Sequence, residues 1–142
     1  MVVSAHSIAS IIGTDILKKG GNAADATVAV HFALAVVYPS AGNIGGGGFF
    51  VYRTNKGEYS SLDFREKAPL KSSRNMYLDS NNEVIEGLST NSHLAVGVPG
   101  SVDGMVNIHN KYGELSWEEL IQPSIEILTP YSPDSVAVND WK

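Results

Sequence analysis

Residues 20–53 read GGNAADATVAVHFALAVVYPSAGNIGGGGFFVYR, and this stretch carries the clearest helix and strand signals in the chain. Its two leading glycines end one helix, and Asn22 begins the next as an N-cap, with Asp25 three residues later in a loose capping box. The segment 23–37 is apolar nearly all round, which predicts a helix buried on most of its surface. Pro39 ends that helix, and a loop with five glycines leads into a strand.

The residues before this stretch predict a short strand and a helix. Val2 and Val3 open the strand, and Ser7 is the predicted N-cap of the helix. Four isoleucines then fall on one helix face at spacings of three, one and four: Ile8, Ile11, Ile12 and Ile16. A short strand followed by two packed helices therefore precedes the glycine loop.

The residues after the stretch predict a β-hairpin. An Asn-Lys-Gly turn connects the strand at 49–53 to a returning strand over 58–64. Alternation along the second strand directs Leu62 and Phe64 to one side, and Asp63 and Arg65 to the other. Arg65 therefore lies on the polar side, at the end of an apolar strand.

Two helices are predicted beyond the turn-rich segment 67–99. The first covers 100–112, with a buried face formed by Val102, Met105, Val106 and His109. The second is capped by Ser116 and kinked by Pro123. Its predicted buried stripe consists of Trp117, Leu120, Ile121, Ile125 and Leu128. After Pro130 the chain is expected to end irregularly.

Composition limits the class of protein. The chain has 142 residues, 43% of them apolar, a net charge of -5 and no cysteine. We expect one globular unit over residues 1–142. The acidic balance argues against a nucleic-acid partner, and the lack of cysteine excludes disulfides, thiol catalysis and zinc–thiolate sites. We also expect no membrane span, since the longest apolar run is too short, and no signal peptide, since residues 1–6 lack a basic start and an apolar run.

Neither the glycines nor the histidines predict a cofactor site. A phosphate-binding loop follows a strand and leads into a helix, whereas residues 45–48 follow a helix and lead into a strand. Close packing at the entry to the strand is the favoured interpretation. The four histidines have no metal-ligand spacing. His31 is expected to be a hydrogen-bonded core residue, and no metal or other cofactor is predicted.

Arg65 is the candidate binding residue. Its planar guanidinium can hold a carboxylate through two hydrogen bonds. The alternative is a structural ion pair with Asp63 or Glu66, which the local sequence favours because most such arginines are paired in this way.

Several motifs in register resemble the start of the γ-glutamyltranspeptidase large subunit, in its bacterial form. They are Ser4-Ala5-His6, LKKGGNAADA at 17–26, PSAGNIGGGGF at 39–49, DFREKAP at 63–69 and GVPGSV at 97–102. The resemblance extends to about Leu128.

This resemblance implies an α+β chain with part of the αββα fold of N-terminal-nucleophile hydrolases: a helix pair and a β-hairpin followed by helices. It implies γ-glutamyl transfer from glutathione and related compounds to amino acids, peptides or water. It places Arg65 on the α-carboxylate of the γ-glutamyl group. In the family the nucleophile is the N-terminal threonine of a small subunit, whose sequence context is absent here. No catalytic residue is therefore expected in this chain.

The expected function is that of a γ-glutamyltransferase or glutathione hydrolase fragment, inactive on its own. The alternative is a non-catalytic module that binds carboxylates or a partner with the same half-fold. A small subunit or self-association is expected to cover the apolar helix and the sheet edges. The resemblance implies a periplasmic or secreted location.

Overall fold

The computed structural model describes residues 1–128, which form four α-helices, one two-stranded sheet and a 3₁₀ turn. The predicted irregular end after Pro130 lies outside these residues. In chain order the elements are α1 (Ser7–Lys18), α2 (Ala23–Val37), β1 (Phe49–Arg53), β2 (Tyr59–Asp63), the 3₁₀ turn (His93–Ala95), α3 (Ser101–Tyr112) and α4 (Trp117–Leu128).

Helix α2 begins and ends as predicted, and its N-terminus is tied to the rest of the fold. Asn22 and Asp25 form a complete capping box. The buried carboxylate of Asp25 also accepts the backbone N–H of Glu114 at 3.1 Å, and Asn22 Nδ2 donates to the carbonyl of Tyr112 at 2.5 Å. The start of α2 therefore holds the connection between α3 and α4.

Small side chains let the other helices approach α2. Ala24, Val28, Ala29 and Ala33 are fully buried, and α2 packs against α1, α3 and α4. The predicted burial of this helix is confirmed, since only Ala23 of the helix is exposed. A helix rich in alanine suits the centre of the core because it permits close helix–helix contact.

Two predictions at the N-terminus are wrong. The N-cap of α1 is His6 rather than Ser7, because His6 Nδ1 accepts the N–H of Ile8. Val2 and Val3 form no strand, since β1 pairs only with β2 in the described sheet. Val2 packs instead against Gly13 of α1, where an added Cβ would lie 2.8 Å from the valine side chain.

The predicted buried faces of α3 and α4 are also partly wrong. Val102 and Val106 are exposed, and the buried residues of α3 are Ser101, Gly104, Met105 and Ile108. Small residues face inward there because the helix lies directly against Phe64. In α4 only Leu120 and Ser124 are fully enclosed, whereas Ile125 and Leu128 are 51% and 49% exposed.

The hairpin is antiparallel, with Phe50 opposite Leu62 and Val51 opposite Ser61. The side bearing Phe50, Tyr52, Leu62 and Phe64 packs against the core. The opposite side, which we call the open face, carries Phe49, Val51, Arg53, Tyr59, Ser61, Asp63 and Arg65. The predicted alternation is therefore confirmed, and Arg65 lies at one end of the open face.

Candidate functional site

The structure gives the guanidinium of Arg65 no acidic partner among residues 1–128. The carboxylate of Asp63 accepts the backbone N–H of Arg65 at 3.0 Å, and Glu66 forms no ion pair with it. The guanidinium carbon lies 5.9 Å from the centre of the Phe49 ring. The ion pair favoured by the local sequence is therefore wrong, and the exposed guanidinium is open to an anion from outside.

The backbone of Arg65 is held on one side by the glycine loop. A Cβ on Gly47 would lie 2.7 Å from the Arg65 Cα, so only glycine fits at that point. The N–H of Phe64 donates to the carbonyl of Gly48 at 3.0 Å. Close packing is therefore the role that the structure gives to residues 47 and 48.

On the other side, the segment before α3 holds the backbone that follows Arg65. Lys67 and Val98 exchange backbone hydrogen bonds of 3.1 and 2.7 Å. The N–H groups of Gly100 and Ser101 both donate to the carbonyl of Gly46, at 2.8 and 3.0 Å. Segment 64–67 thus lies between two stretches of backbone that are also bonded to each other.

Phe64 anchors this arrangement in the core. Its ring is 8% exposed and lies against Gly48 and Gly104. An added Cβ on Gly104 would overlap the ring. Because Phe64 and Arg65 are adjacent in the chain, the buried ring fixes the position from which the arginine side chain leaves the backbone.

The prediction for His31 is correct in part. The ring is partly buried and lies nearly perpendicular to the Phe32 ring, with centroids 5.8 Å apart. However, Nε2 is shielded from solvent and has no hydrogen-bond partner. Burial lowers the pKa of His31 below 6.5, and a hydrogen bond with the Asn43 backbone opposes that shift. Within residues 1–128, no three His, Asp or Glu side chains are grouped as a metal site would require.

The hydroxyls of the described threonines form hydrogen bonds with nearby backbone groups. Thr14 and Thr27 donate to carbonyls of their own helices, and Thr90 donates to Gly87. Thr54 accepts the N–H of Glu58 in the hairpin turn. Thr129 lies outside the described residues. The structure thus brings no threonine of this part of the chain into the candidate site.

Sequence reasoning missed the buried contacts that support the site. The interpretation of Asp25 as a cap left out its bond to Glu114, and nothing identified Phe64 as the anchor of Arg65. An acid within an apolar helix is the signal that could have identified Asp25, since a buried carboxylate needs more than one donor. For Phe64, the only signal in the sequence was its position next to Arg65.

Comparison with known proteins agrees with the motifs. The sequence profile of the family described as Gamma-glutamyltranspeptidase matches residues 9–130. A glutathione hydrolase proenzyme from Pseudomonas sp. is 57% identical over 127 residues, which cover 89% of this chain and 22% of that protein. The Escherichia coli glutathione hydrolase proenzyme is 45% identical over 140 residues, which cover 99% of this chain and 23% of that protein.

A solved structure shows the same fold. The γ-glutamyltranspeptidase of Helicobacter pylori superposes with a TM-score of 0.83 at 53% identity, and the match covers 89% of this chain and 36% of that one. No helix in residues 1–128 is both long and apolar enough to cross a membrane. The chain spans about a quarter of the length of the curated relatives it matches. The α+β fold is part of an N-terminal-nucleophile hydrolase, and the chain belongs to the γ-glutamyltranspeptidase family.

Proposed function

We propose that this chain supplies the carboxylate-binding part of a γ-glutamyl site, with Arg65 as the residue that holds the α-carboxylate of the substrate. The observation that carries the proposal is the exposed guanidinium of Arg65, which has no acidic partner in residues 1–128 although its backbone is fixed on both sides. A rigid backbone and an unpaired planar guanidinium favour the binding of a carboxylate through two hydrogen bonds.

The reaction we propose for the complete site is γ-glutamyl transfer from glutathione or related compounds to an amino acid, a peptide or water. The names of the relatives support this reaction class. The nucleophile comes from a second part, the small subunit of the family, and its hydroxyl attacks the γ-carbonyl once Arg65 has fixed the other end of the substrate. This chain contributes as one unit over residues 1–142 and is inactive alone.

The first test compares two arginines on the open face. Arg53 lies 5.8 Å from the centre of the Tyr59 ring, much as Arg65 lies over Phe49, so Arg53→Ala is a matched control. We expect Arg65→Ala to weaken glutamate binding at least about tenfold in titration calorimetry, since it removes charge-assisted hydrogen bonds. Arg53→Ala should leave it unchanged. Equal losses in both variants would contradict the proposal.

A hydrolysis assay tests whether the chain is part of an enzyme or, as the alternative has it, a non-catalytic module. The purified chain is incubated with a γ-glutamyl anilide, alone and with a separately produced small subunit of a relative, while its intact mass is followed. We expect turnover only in the mixture, and its loss in Arg65→Ala. Glutamate binding without turnover in either sample would favour the non-catalytic module.

A further inference from the structure

We propose that two copies of this chain pair through the outer edge of β1, which is the side of the strand that faces away from β2. The two β1 strands run antiparallel with Val51 at the centre, so the hairpins of both copies form one continuous sheet. The inference does not depend on the proposed role of Arg65, because it rests on backbone groups of a different strand.

The first step is the direction of the backbone groups in β1. The N–H of Phe64 donates to the carbonyl of Gly48 beyond one end of the strand, and the N–H of Thr54 donates to the carbonyl of Glu58 beyond the other end. Hydrogen-bonded pairs alternate with non-hydrogen-bonded pairs along antiparallel strands. The even-numbered residues of β1 therefore face β2, and the odd-numbered residues direct their N–H and C=O groups to the outer edge.

The second step is that this edge is open. The odd-numbered residues of β1 are Phe49, Val51 and Arg53, and all three are exposed. Their outward N–H and C=O groups have no hydrogen-bond partner within residues 1–128, since β1 pairs only with β2 in the described sheet. Natural edge strands are commonly protected by lysine or proline, and β1 contains neither. The outer edge of β1 is therefore a template for a further strand.

The outer edge of β2 is less suited to such pairing. Asp63 Oδ1 accepts the N–H of Arg65 at 3.0 Å, so a carboxylate occupies the end of that edge. In addition, Asn107 and Lys111 of α3 line a cleft of about 390 Å³ together with Ser61, so α3 lies beside β2. A strand added on this side would have to pass these side chains, and none of them borders β1 in this way.

The third step is the register, which makes the outer edge of β1 complementary to its own copy. A two-fold axis at Val51 places this valine opposite the valine of the second copy, and it places Phe49 opposite Arg53 of the second copy. The outward groups of these residues then form roughly six backbone hydrogen bonds. A valine pair is apolar, and arginine packs well on an aromatic ring, as Arg53 does on Tyr59 within one copy. An axis at Arg53 would instead place two arginines opposite each other, so the axis at Val51 is favoured.

Single-cysteine variants report the pairing directly, because the chain has no cysteine of its own. Opposite residues of a hydrogen-bonded pair have Cα atoms about 5.5 Å apart, which is within the range of a disulfide. Under mild oxidation we expect Val51→Cys to form a disulfide-linked dimer at least about tenfold faster than Val84→Cys, since pairing raises the effective concentration of the two thiols. Val84 is similarly exposed but lies in the turn-rich segment. Ser61→Cys, on the outer edge of β2, is the second control, and equal rates in Val51→Cys and either control would overturn the proposal.

The register has a test of its own. In the proposed dimer the two copies of position 49 lie about 13 Å apart along the strands, too far for a disulfide, whereas position 49 of one copy lies opposite position 53 of the other. A mixture of Phe49→Cys and Arg53→Cys is therefore oxidised, and its products are identified by intact mass. We expect the mixed disulfide to be the main product. A predominance of either like-with-like dimer would overturn the register.

Two proline variants test whether the backbone makes the contact. The N–H of Val51 points away from β2, so Val51→Pro should leave the hairpin intact and remove both central hydrogen bonds of the dimer. Ser61→Pro is the matched control, because Ser61 lies opposite Val51 and its N–H points to the outer edge of β2. We expect Val51→Pro to dimerise at least about tenfold more weakly than wild type, and Ser61→Pro to dimerise as wild type does. Circular dichroism checks that both variants fold, and the cysteine variants test the pairing without a change to the backbone.

Light scattering on the wild-type chain gives the final test. Since one strand per copy makes a small interface, we expect a reversible dimer with a Kd in the micromolar range, visible at about 100 μM protein. A wild-type chain that is a monomer at this concentration would overturn the proposal. A dimer that persists in folded Val51→Pro would also overturn it, because another surface would then form the interface.

Discussion

At the scale of single residues, a buried carboxylate connects parts of the chain that are distant in sequence. Asp25 is fully buried, and its carboxylate joins two segments because it accepts N–H groups from Asn22 at the start of α2 and from Glu114 in the α3–α4 connection. The carboxylate therefore serves as the hydrogen-bond acceptor for backbone N–H groups at the start of α2 and in the α3–α4 connection. Without it these groups would lack a protein partner.

We therefore expect Asp25→Ala to lower the free energy of unfolding by about 1–3 kcal/mol, because it removes part of the capping box and leaves the partly buried N–H of Glu114 without its acceptor. Asp15→Ala is the control. Asp15 pairs with Lys18 at 2.8 Å, but both side chains are largely exposed, so its loss should cost less than about 1 kcal/mol. Urea unfolding of both variants measures the difference, and equal costs would show that the buried bonds contribute little.

At the scale of elements, the contact between α3 and segment 64–67 is the one on which the site depends. Glycine is a poor helix former, and an exposed Gly→Ala change in a helix usually stabilises by up to about 1 kcal/mol. At Gly104 the opposite is expected, since an added methyl overlaps the Phe64 ring. We predict that Gly104→Ala destabilises by about 1–3 kcal/mol.

The same variant should also weaken glutamate binding, because a displaced Phe64 moves the neighbouring Arg65. Gly45→Ala is the control within the glycine loop, since a Cβ there meets no atom within 4 Å. Thermal unfolding and calorimetry on the two variants test this together. A stable Gly104→Ala protein with unchanged glutamate affinity would show that α3 does not hold the arginine in place.

At the scale of the whole molecule, the open face of the hairpin is the surface that needs a partner. Phe49, Val51 and Tyr59 are 66%, 80% and 77% exposed on one side of a sheet with only two strands. The chain matches 36% of the Helicobacter pylori structure, so much of that larger fold lies outside the match. We expect association, with a small subunit or with a second copy, to cover this face.

Val51→Lys tests the association, because a lysine in the middle of the open face would be costly to bury. We expect the variant to shift the chain toward monomer in light scattering and to reduce its binding of an apolar dye. Val84→Lys is the control, since Val84 is similarly exposed, at 71%, but lies in the turn-rich segment. A wild-type chain that is already a monomer and binds no dye would contradict the prediction.

Much of the fold could be predicted because its determinants are local. The bounds of α2 follow from Asn22 and Pro39, the hairpin from its turn, and the side on which Arg65 lies from strand alternation. The buried face of α3 could not be predicted, because hydropathy alone favoured Val102 and Val106. The inward face is set by how closely the helix approaches Phe64, a contact between residues about 40 positions apart.

The family and the order of the helices and of the hairpin could be predicted from the sequence alone, because both depend on residues close together in the chain, and the family resemblance pointed to Arg65 as the residue proposed to hold a carboxylate. Only the folded structure shows that the Arg65 guanidinium has no acidic partner among residues 1–128. The Asp63 carboxylate accepts the backbone N–H of Arg65 and does not pair with its guanidinium. The glycine loop and the segment before α3 hold the backbone around Arg65 from either side. The bonds between segment 64–67 and residues 48 and 98 join parts of the chain that are distant in sequence, so no local pattern predicts them.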